Sequence, residues 1–364
     1  MSNTLFSFLR GTKNIQIGID VGATAVKVTA VEHSSKGLKL LGLGWEETPP
    51  GAIVDGTIND TKAITVAVKS ALEQTNVRYK GTSASIGLRG INVVFKKISV
   101  PFQGIAELPK QIILEAQQHV DSDLEQWQID YETIGEPNNE GQIAILLVAA
   151  RKAVVEEFTK MLKLVGVLPS VVDCDAFAIS NSFEQSSGSQ SSTNLCVDVG
   201  KESTKIHLTI AGQSSIIRSL PVGGSHFTDL IARQINISHE EAETLKWSLS
   251  DPDYAASHQE LILVCKQHVE ELCDEIKKTM DFYSGYETQI ELKNIDSIVL
   301  SGGGSVAPGL SESISKMLNA DTVYAHPFQN MKLNPKIDPN VTSRYAHQFA
   351  VAAGLALRKA GDRL

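Results

Sequence analysis

Residues 15–31 read Ile15-Gln-Ile-Gly-Ile-Asp20-Val-Gly22-Ala-Thr24-Ala-Val-Lys27-Val-Thr-Ala-Val31, and residues 194–210 read Asn194-Leu-Cys-Val-Asp198-Val-Gly200-Lys-Glu-Ser203-Thr204-Lys205-Ile-His-Leu-Thr-Ile210. Superposed without a gap, Asp20, Val21, Gly22 and Lys27 fall on Asp198, Val199, Gly200 and Lys205. Each stretch is an apolar strand, a tight Asp-x-Gly turn and a second strand with period-two alternation. Such a repeat, about half the chain apart, predicts two similar lobes. A length of 364 residues with 42% hydrophobic composition is enough for two cores.

Glycine at each turn lets backbone come close to a ligand and leaves amide N–H groups free to face an anion. An aspartate beside phosphate is repulsive unless it holds a hydrated Mg²⁺, so Asp20 and Asp198 are the candidate metal residues. One Asp-x-Gly turn is ordinary hairpin chemistry; two in matching context point to a shared phosphate site. A third segment, Ile295-Asp-Ser-Ile-Val-Leu300 running into Ser301-Gly302-Gly303-Gly304-Ser-Val-Ala307-Pro308-Gly309, predicts a strand, a glycine turn and a helix with Pro308 in its first turn. Gly302, Gly304 and Ala307 also satisfy the G-x-G-x-x-A pattern of dinucleotide folds, with Asp321 as the ribose acid. Only 43 residues follow Asp321, too few to complete a doubly wound sheet.

The net charge of -9 and the lack of a dense basic run exclude a nucleic-acid footprint. Cys174, Cys196, Cys265 and Cys273 share no CxxC spacing, so reduced buried thiols are expected rather than zinc or disulfides. Met1–Arg10 has no signal-peptide pattern, and the longest apolar run, Ile143–Ala150, suits a buried strand, not a membrane helix. His268 with Cys265 on the amphipathic stretch Leu261–Tyr286 reads as core, not as a metal site.

The order Asp20-x-Gly22, Asp198-x-Gly200, then Ser301-Gly-Gly-Gly304 resembles the phosphate 1, phosphate 2 and adenosine motifs of the actin, Hsp70 and sugar-kinase superfamily. The resemblance implies an α/β, actin-like (RNase H-like) two-lobed ATPase fold. Leu220-Pro-Val-Gly223-Gly224 followed by Ser238-His-Glu-Glu-Ala-Glu243-Thr-Leu-Lys246 is similar to the corresponding stretch of FtsA and PilM. It implies ATP and Mg²⁺, with the phosphates at Asp20, Gly22, Ala23, Thr24, Lys27, Gly200, Ser203, Thr204, Gly223 and Gly224. Adenosine falls to Glu243, Lys246, Gly302, Gly303 and Gly304. Relatives often carry a hydroxyl residue where this chain has Ala23, so that contact passes to Thr24 or to backbone amides. Val171-Val-Asp173-Cys-Asp175-Ala-Phe-Ala and Phe349-Ala-Val-Ala-Ala-Gly354 resemble the two connecting motifs of the interlobe hinge, where small residues let helices cross closely.

Within the superfamily the chain resembles the PilM family of type IV pilus assembly proteins. Pro50–Asp60 is similar to its early loop, and Ser99–Pro169 to the extra subdomain shared with FtsA. The expected organisation is a first-lobe core at 14–98 plus 170–184, an FtsA-type subdomain at 99–169, a second-lobe core at 194–224 plus 295–364, and a helical insertion at 225–294. Helices are expected at about 106–120 and 152–165, and a flexible serine-rich joint at 186–193.

The resemblance implies a cytoplasmic assembly protein without direct membrane insertion, since the tail Arg358–Leu364 is too short for an interfacial helix. Attachment to the inner membrane is expected through the N-terminal cytoplasmic peptide of a PilN-like protein. Other pilus platform and motor proteins, and self-association, are further partners that the resemblance admits. The alternative is a small-molecule (sugar or acyl) kinase of the same superfamily, which needs a carboxylate base near a substrate hydroxyl. No isolated Asp of the first lobe stands out for that role, so at most slow ATP hydrolysis is expected.

Overall fold

The computed structural model describes residues 14–120, 123–187, 192–286 and 295–362. The segment before 14, the middle of the serine-rich joint at 188–191, the end of the expected insertion at 287–294 and the last two residues of the tail lie outside the described residues.

The chain opens as an antiparallel meander of β1 (Asn14–Val21), β2 (Ala25–Ser34) and β3 (Gly37–Glu47). A short hairpin of β4 (Ile53–Val54) and β5 (Thr57–Ile58), helix α1 (Thr61–Gln74) and β6 (Ser83–Leu88) follow. α1 begins where the Asp60 carboxylate accepts the Ala63 N–H at 3.0 Å, satisfying one of the orphan donors of the first turn. Its Ile64, Val68, Ala71 and Leu72 are fully buried. Next come β7 (Val93–Pro101), α2 (Leu108–Ala116), β8 (Trp127–Ile134) and β9 (Gln142–Arg151), a separate three-stranded sheet in the order β7-β9-β8 with α2 laid over one face. β7 is one continuous ladder from Val93 to Pro101, so this unit begins at Val93 rather than at 99. α3 (Lys152–Val165) ends at Gly166, whose φ of 90° supplies the left-handed cap. Its Phe158, Met161 and Leu162 join the core of the first sheet, not that of the three-stranded unit. β10 (Leu168–Cys174) then pairs with β6 and leads into α4 (Asp175–Ser187).

The second half repeats the plan. β11 (Thr193–Val199), β12 (Thr204–Ile210) and β13 (Gln213–Leu220) form the meander, and the insertion is helical, with α5 (Gly224–Ile235), α6 (His239–Ser248), α7 (Pro252–Ser257) and the long α8 (Gln259–Tyr286). β14 (Ser297–Ser301), α9 (Leu310–Leu318) and β15 (Thr322–Tyr324) complete a five-stranded sheet in the order β13-β12-β11-β14-β15. The first sheet runs β10-β6-β1-β2-β3-β16, with β16 (Lys332–Leu333) hydrogen-bonded to β3. The chain beyond 326 therefore returns to the first sheet instead of staying with the second lobe, and its Phe328 and Phe349 pack with Leu40. α10 (Pro339–Arg344) and α11 (Ala350–Leu357) close the chain. Each sheet is a meander extended by parallel strands, and the register pairs Asp20 with Lys27 and Asp198 with Lys205.

The two connecting segments meet at α4 and α11. A Cβ on Gly354 would lie 1.7 Å from the Ala178 carbonyl oxygen, so the helices touch backbone to backbone.

Two helix limits differ from expectation. The helix expected at 106–120 is α2, Leu108–Ala116, because the chain leaves helical bonding in the turns from Gln117 to Val120. Pro308 lies before α9 rather than in it: proline holds Ala307 extended at ψ 131°, and Gly309 at φ 80° starts the helix at Leu310. All four cysteines are free and buried. Among the described residues no helix is long and apolar enough to cross a membrane.

Candidate functional site

Between the sheets lies a cleft of roughly 1150 Å³ that opens to solvent. The β1–β2 turn contributes Asp20, Gly22, Ala23, Thr24 and Lys27 to its wall, and the β11–β12 turn contributes Asp198, Gly200, Lys201 and Lys205. Gly224, Glu243 and Lys246 line it from α5 and α6, and Gly302, Gly303 and Gly304 from the turn after β14. Ser203, Thr204 and Gly223 stand behind this lining. The Thr204 hydroxyl donates to the Val222 carbonyl at 2.6 Å, the Ser203 carbonyl accepts the Gly200 N–H, and Gly223 caps α5. They shape the second turn rather than face the cleft.

The hairpin turns are built alike. Gly22 N–H donates to the Ala25 carbonyl at 3.1 Å, and Gly200 N–H to the Ser203 carbonyl at 3.0 Å. Inside the first turn the amides of Ala23 and Thr24 donate to no acceptor among the described residues, so they are open to an anion. Gly302 adopts φ 83°, and a Cβ there would lie 2.4 Å from the Val199 carbonyl oxygen, so only glycine lets the third turn sit on the second hairpin.

Beneath the turns runs a chain of alternating charges. Lys27 Nζ is 3.2 Å from Asp20 Oδ2; Arg89 donates to Asp20 Oδ1 and places Nε 2.9 Å from Asp175 Oδ2; Lys205 Nζ is 3.1 Å from both Asp175 Oδ2 and Asp198 Oδ2. Asp198 Oδ1 accepts from the Ser301 hydroxyl at 3.0 Å. Three cations and three carboxylates thus connect the first lobe, the start of α4 and the second lobe. Burial works against the Asp20 charge, but Lys27 and Arg89 win and hold its carboxyl far below the ordinary range. Burial dominates at Asp175 and pushes its pKa up, against Arg89 and Lys205, whose contacts are at ion-pair distance without hydrogen-bond alignment. Arg89 is not marked by the motifs, and Lys205 is marked only as the residue aligned with Lys27; the fold shows why both matter, since β6 ends beside β1 and Lys205 faces Asp198 across the β-ladder.

The Glu243–Lys246 pair, three residues apart on α6, forms at 2.7 Å. Lys246 also donates to the Gly224 carbonyl and to Thr228, and Trp247 Nε1 donates to Glu243 Oε1 at 3.0 Å. Partial burial raises the Glu243 pKa, but Lys246, Thr228 and Trp247 bring it below the ordinary value. α6 is fixed by a capping box, in which Ser238 Oγ accepts the Glu241 N–H and the Glu241 carboxylate accepts the Ser238 N–H.

The fold, with its two repeated lobes around a cleft, places the chain among actin-like proteins. The family model described as type IV pilus assembly protein PilM matches residues 18–360, and the chain belongs to that family. A solved PilM-PilN type IV pilus biogenesis complex has a chain similar to this one, with a TM-score of 0.81 and 24% identity over 94% of this chain and 98% of that chain. MreB5 of Spiroplasma citri bound to AMPPNP is similar at a TM-score of 0.51 and 14% identity, covering 87% of this chain and 92% of that chain. In sequence, cell division protein FtsA of Enterococcus hirae is 23% identical, covering 88% of this chain and 80% of that protein.

Proposed function

We propose that this member of the PilM family holds Mg·ATP in the interlobe cleft, and that the nucleotide sets the angle between the lobes and thereby the affinity for a PilN-like partner. One observation carries the reading: the two Asp-x-Gly turns and the glycine turn after β14 open on the same cleft, above a charge chain that spans both lobes. The residues fit the ligand. The Ala23 and Thr24 amides suit phosphate, Asp20 and Asp198 would hold a hydrated Mg²⁺, and Glu243 with Lys246 would meet the ribose. When bound, the metal would neutralise phosphate charge that the cleft floor, with its three cations already matched by three carboxylates, does not balance alone.

Saturating Mg·ATP is expected to stabilise the fold by roughly 2.7 kcal/mol at a hundredfold excess over Kd, a rise of several degrees in Tm. Gly302→Val should lose that rise, because the side chain collides with Val199. An unshifted wild type, or a variant that shifts equally, overturns the assignment. The kinase reading has no support from the acids of the hinge. Asp173 is buried against Arg358 at 3.3 Å, and Asp175 is held by Arg89 and Lys205.

The partner reading rests on the family and on the three-stranded unit. Within that sheet β7 and β8 are edge strands, and Ile105, Ile113 and Leu114 nearby are exposed. An extended tail adding main-chain bonds to such an edge would seat apolar side chains beside it. A labelled peptide of the N-terminal tail of the PilN-like protein encoded by the same organism is expected to bind with Kd on the order of micromolar, about -8 kcal/mol. A linear, unsaturable anisotropy signal up to millimolar protein contradicts it.

A further inference from the structure

The cleft carries one cation more than its carboxylates balance. Five lysine and arginine side chains line it: Lys27, Arg89, Lys201, Lys205 and Lys246. Lys27 and Arg89 are matched by Asp20 and Asp175, Lys205 by Asp175 and Asp198, and Lys246 by Glu243. Lys201 is half-buried, yet no carboxylate among the described residues lies at ion-pair distance from it. Glu202, the next residue, is outside the lining; its carboxylate accepts from the Asp55 backbone and acts on Lys201 only from beyond ion-pair distance. A partly desolvated ammonium on a cavity wall, with no carboxylate to hold it, favours an anionic ligand.

The backbone fixes where this lysine starts. Gly224 N–H donates to the Gly200 carbonyl and Ser225 N–H to the Lys201 carbonyl, both at 2.8 Å, so the second turn is clamped to the start of α5. A Cβ on Gly224 would lie 3.4 Å from Lys246 Nζ and 3.7 Å from Lys201 Cα, so two lysines converge on that glycine, one from α6 and one from the turn. They are not equivalent. The Lys246 ammonium donates to the Gly224 carbonyl at 3.1 Å, to Thr228 Oγ1 at 2.8 Å and to Glu243 Oε2 at 2.7 Å, and an ammonium has three N–H donors in all. Lys201 Nζ makes no hydrogen bond with any described residue and keeps its donors. Burial lowers the Lys246 pKa against the pull of Glu243, and Lys201 adds to the lowering, as a like charge nearby must.

We propose that Lys201 is the phosphate-binding cation of the cleft: its ammonium takes the phosphates next to the ribose, which ADP and ATP share, while Lys246 stays with Glu243. The proposal rests on the nucleotide reading above and deepens it, by naming the charged contact that the existing ion pairs leave available. Its placement follows from Gly224. The ribose falls to Glu243 and Lys246, so a second cation beside that glycine reaches the phosphates nearest the sugar.

Equilibrium dialysis of the intact chain with the Mg²⁺ complexes of ATP and ADP tests it, with wild type against Lys201→Met and Lys201→Arg. Lys201→Met keeps an unbranched stem and removes the charge, and it is expected to weaken ATP and ADP alike by on the order of 10–100-fold, the worth of one charged hydrogen bond. Lys201→Arg should stay within about fivefold of wild type, because the charge and the donors are kept. Without ligand, Lys201→Met should melt with the wild type, since no ion pair is broken. Wild-type affinity in Lys201→Met, or equal losses in both variants, overturns the role of Lys201 and leaves the nucleotide reading standing. So does a ligand-free Tm several degrees lower in Lys201→Met, which would make the lysine structural. A loss for ATP with none for ADP moves the cation to the terminal phosphate and overturns its placement. No binding of either nucleotide by the wild type overturns both readings.

Discussion

Gly354→Val is expected to abolish the native fold or to cost at least about 3 kcal/mol, at the upper end of overpacking changes. At this position a Cβ would lie 1.7 Å from the Ala178 carbonyl oxygen and 2.5 Å from its carbon, and neither atom belongs to a side chain that could turn away. The same contact is made from the other side, where a Cβ on Gly18 would lie 1.9 Å from the Ala352 carbonyl oxygen. β1, α11 and α4 are thus stacked at backbone contact in the middle of the molecule, and relief requires moving a helix that touches both lobes. Gly303→Ala is the control, since a Cβ there meets nothing within 4 Å. Urea midpoints check the pair: Gly303→Ala should unfold near the wild-type midpoint, whereas a Gly354→Val midpoint equal to wild type would show that the helices are not in contact.

Arg89→Met is expected to cost about 3 kcal/mol at pH 7, the loss that follows when one partner of a buried ion pair is removed. The guanidinium is the only cation touching both Asp20 and Asp175 among the described residues, and those side chains are 5% and 1% exposed. Lys27 and Lys205 remain, which keeps the cost below that of an isolated buried charge. The sign with pH follows from the two carboxyls. In the wild type the depressed Asp20 contributes stability above its unfolded pKa, and that contribution is lost only as pH falls through the much lower folded value. Asp175 is raised in the fold and so costs stability as pH rises past its unfolded value. Without Arg89 both pKa values move up, so the deficit of the variant should be greater at pH 7 than at pH 5. Denaturation at the two pH values decides it, and a deficit independent of pH would mean that Arg89 acts through packing alone.

The repeat was legible because its physics is local. Asp20-x-Gly22 and Asp198-x-Gly200 each need an apolar strand, a turn that accepts glycine and a second strand, and the chain supplies them in that order. The aligned lysines, Lys27 and Lys205, were visible as a coincidence; their reason is the antiparallel register that sets each opposite its aspartate. α3 was likewise found at the expected residues, since its periodicity and Gly166 mark both the helix and its end.

What sequence did not show depends on contacts between distant segments. Arg89 follows an unremarkable strand, and only the parallel pairing of β1 with β6 brings it to Asp20. His268 read as core on an apolar helix face, and it is indeed buried; that the same ring also lines the cleft depends on how α8 crosses α5. The limits of the three-stranded unit were misjudged for a related reason. β7 continues back to Val93 and α3 turns its apolar face to the first sheet, choices made by packing partners rather than by composition.

Calorimetric titration of the intact chain with Mg·ATP, against NAD as the competing ligand class, tests most directly whether the paired turns form a nucleotide site. One binding event per chain, lost in Gly302→Val and absent with NAD, is the result expected from two hairpins and a glycine turn opening on one cleft. No heat with Mg·ATP at saturating concentration, or equal binding by Gly302→Val, would contradict it.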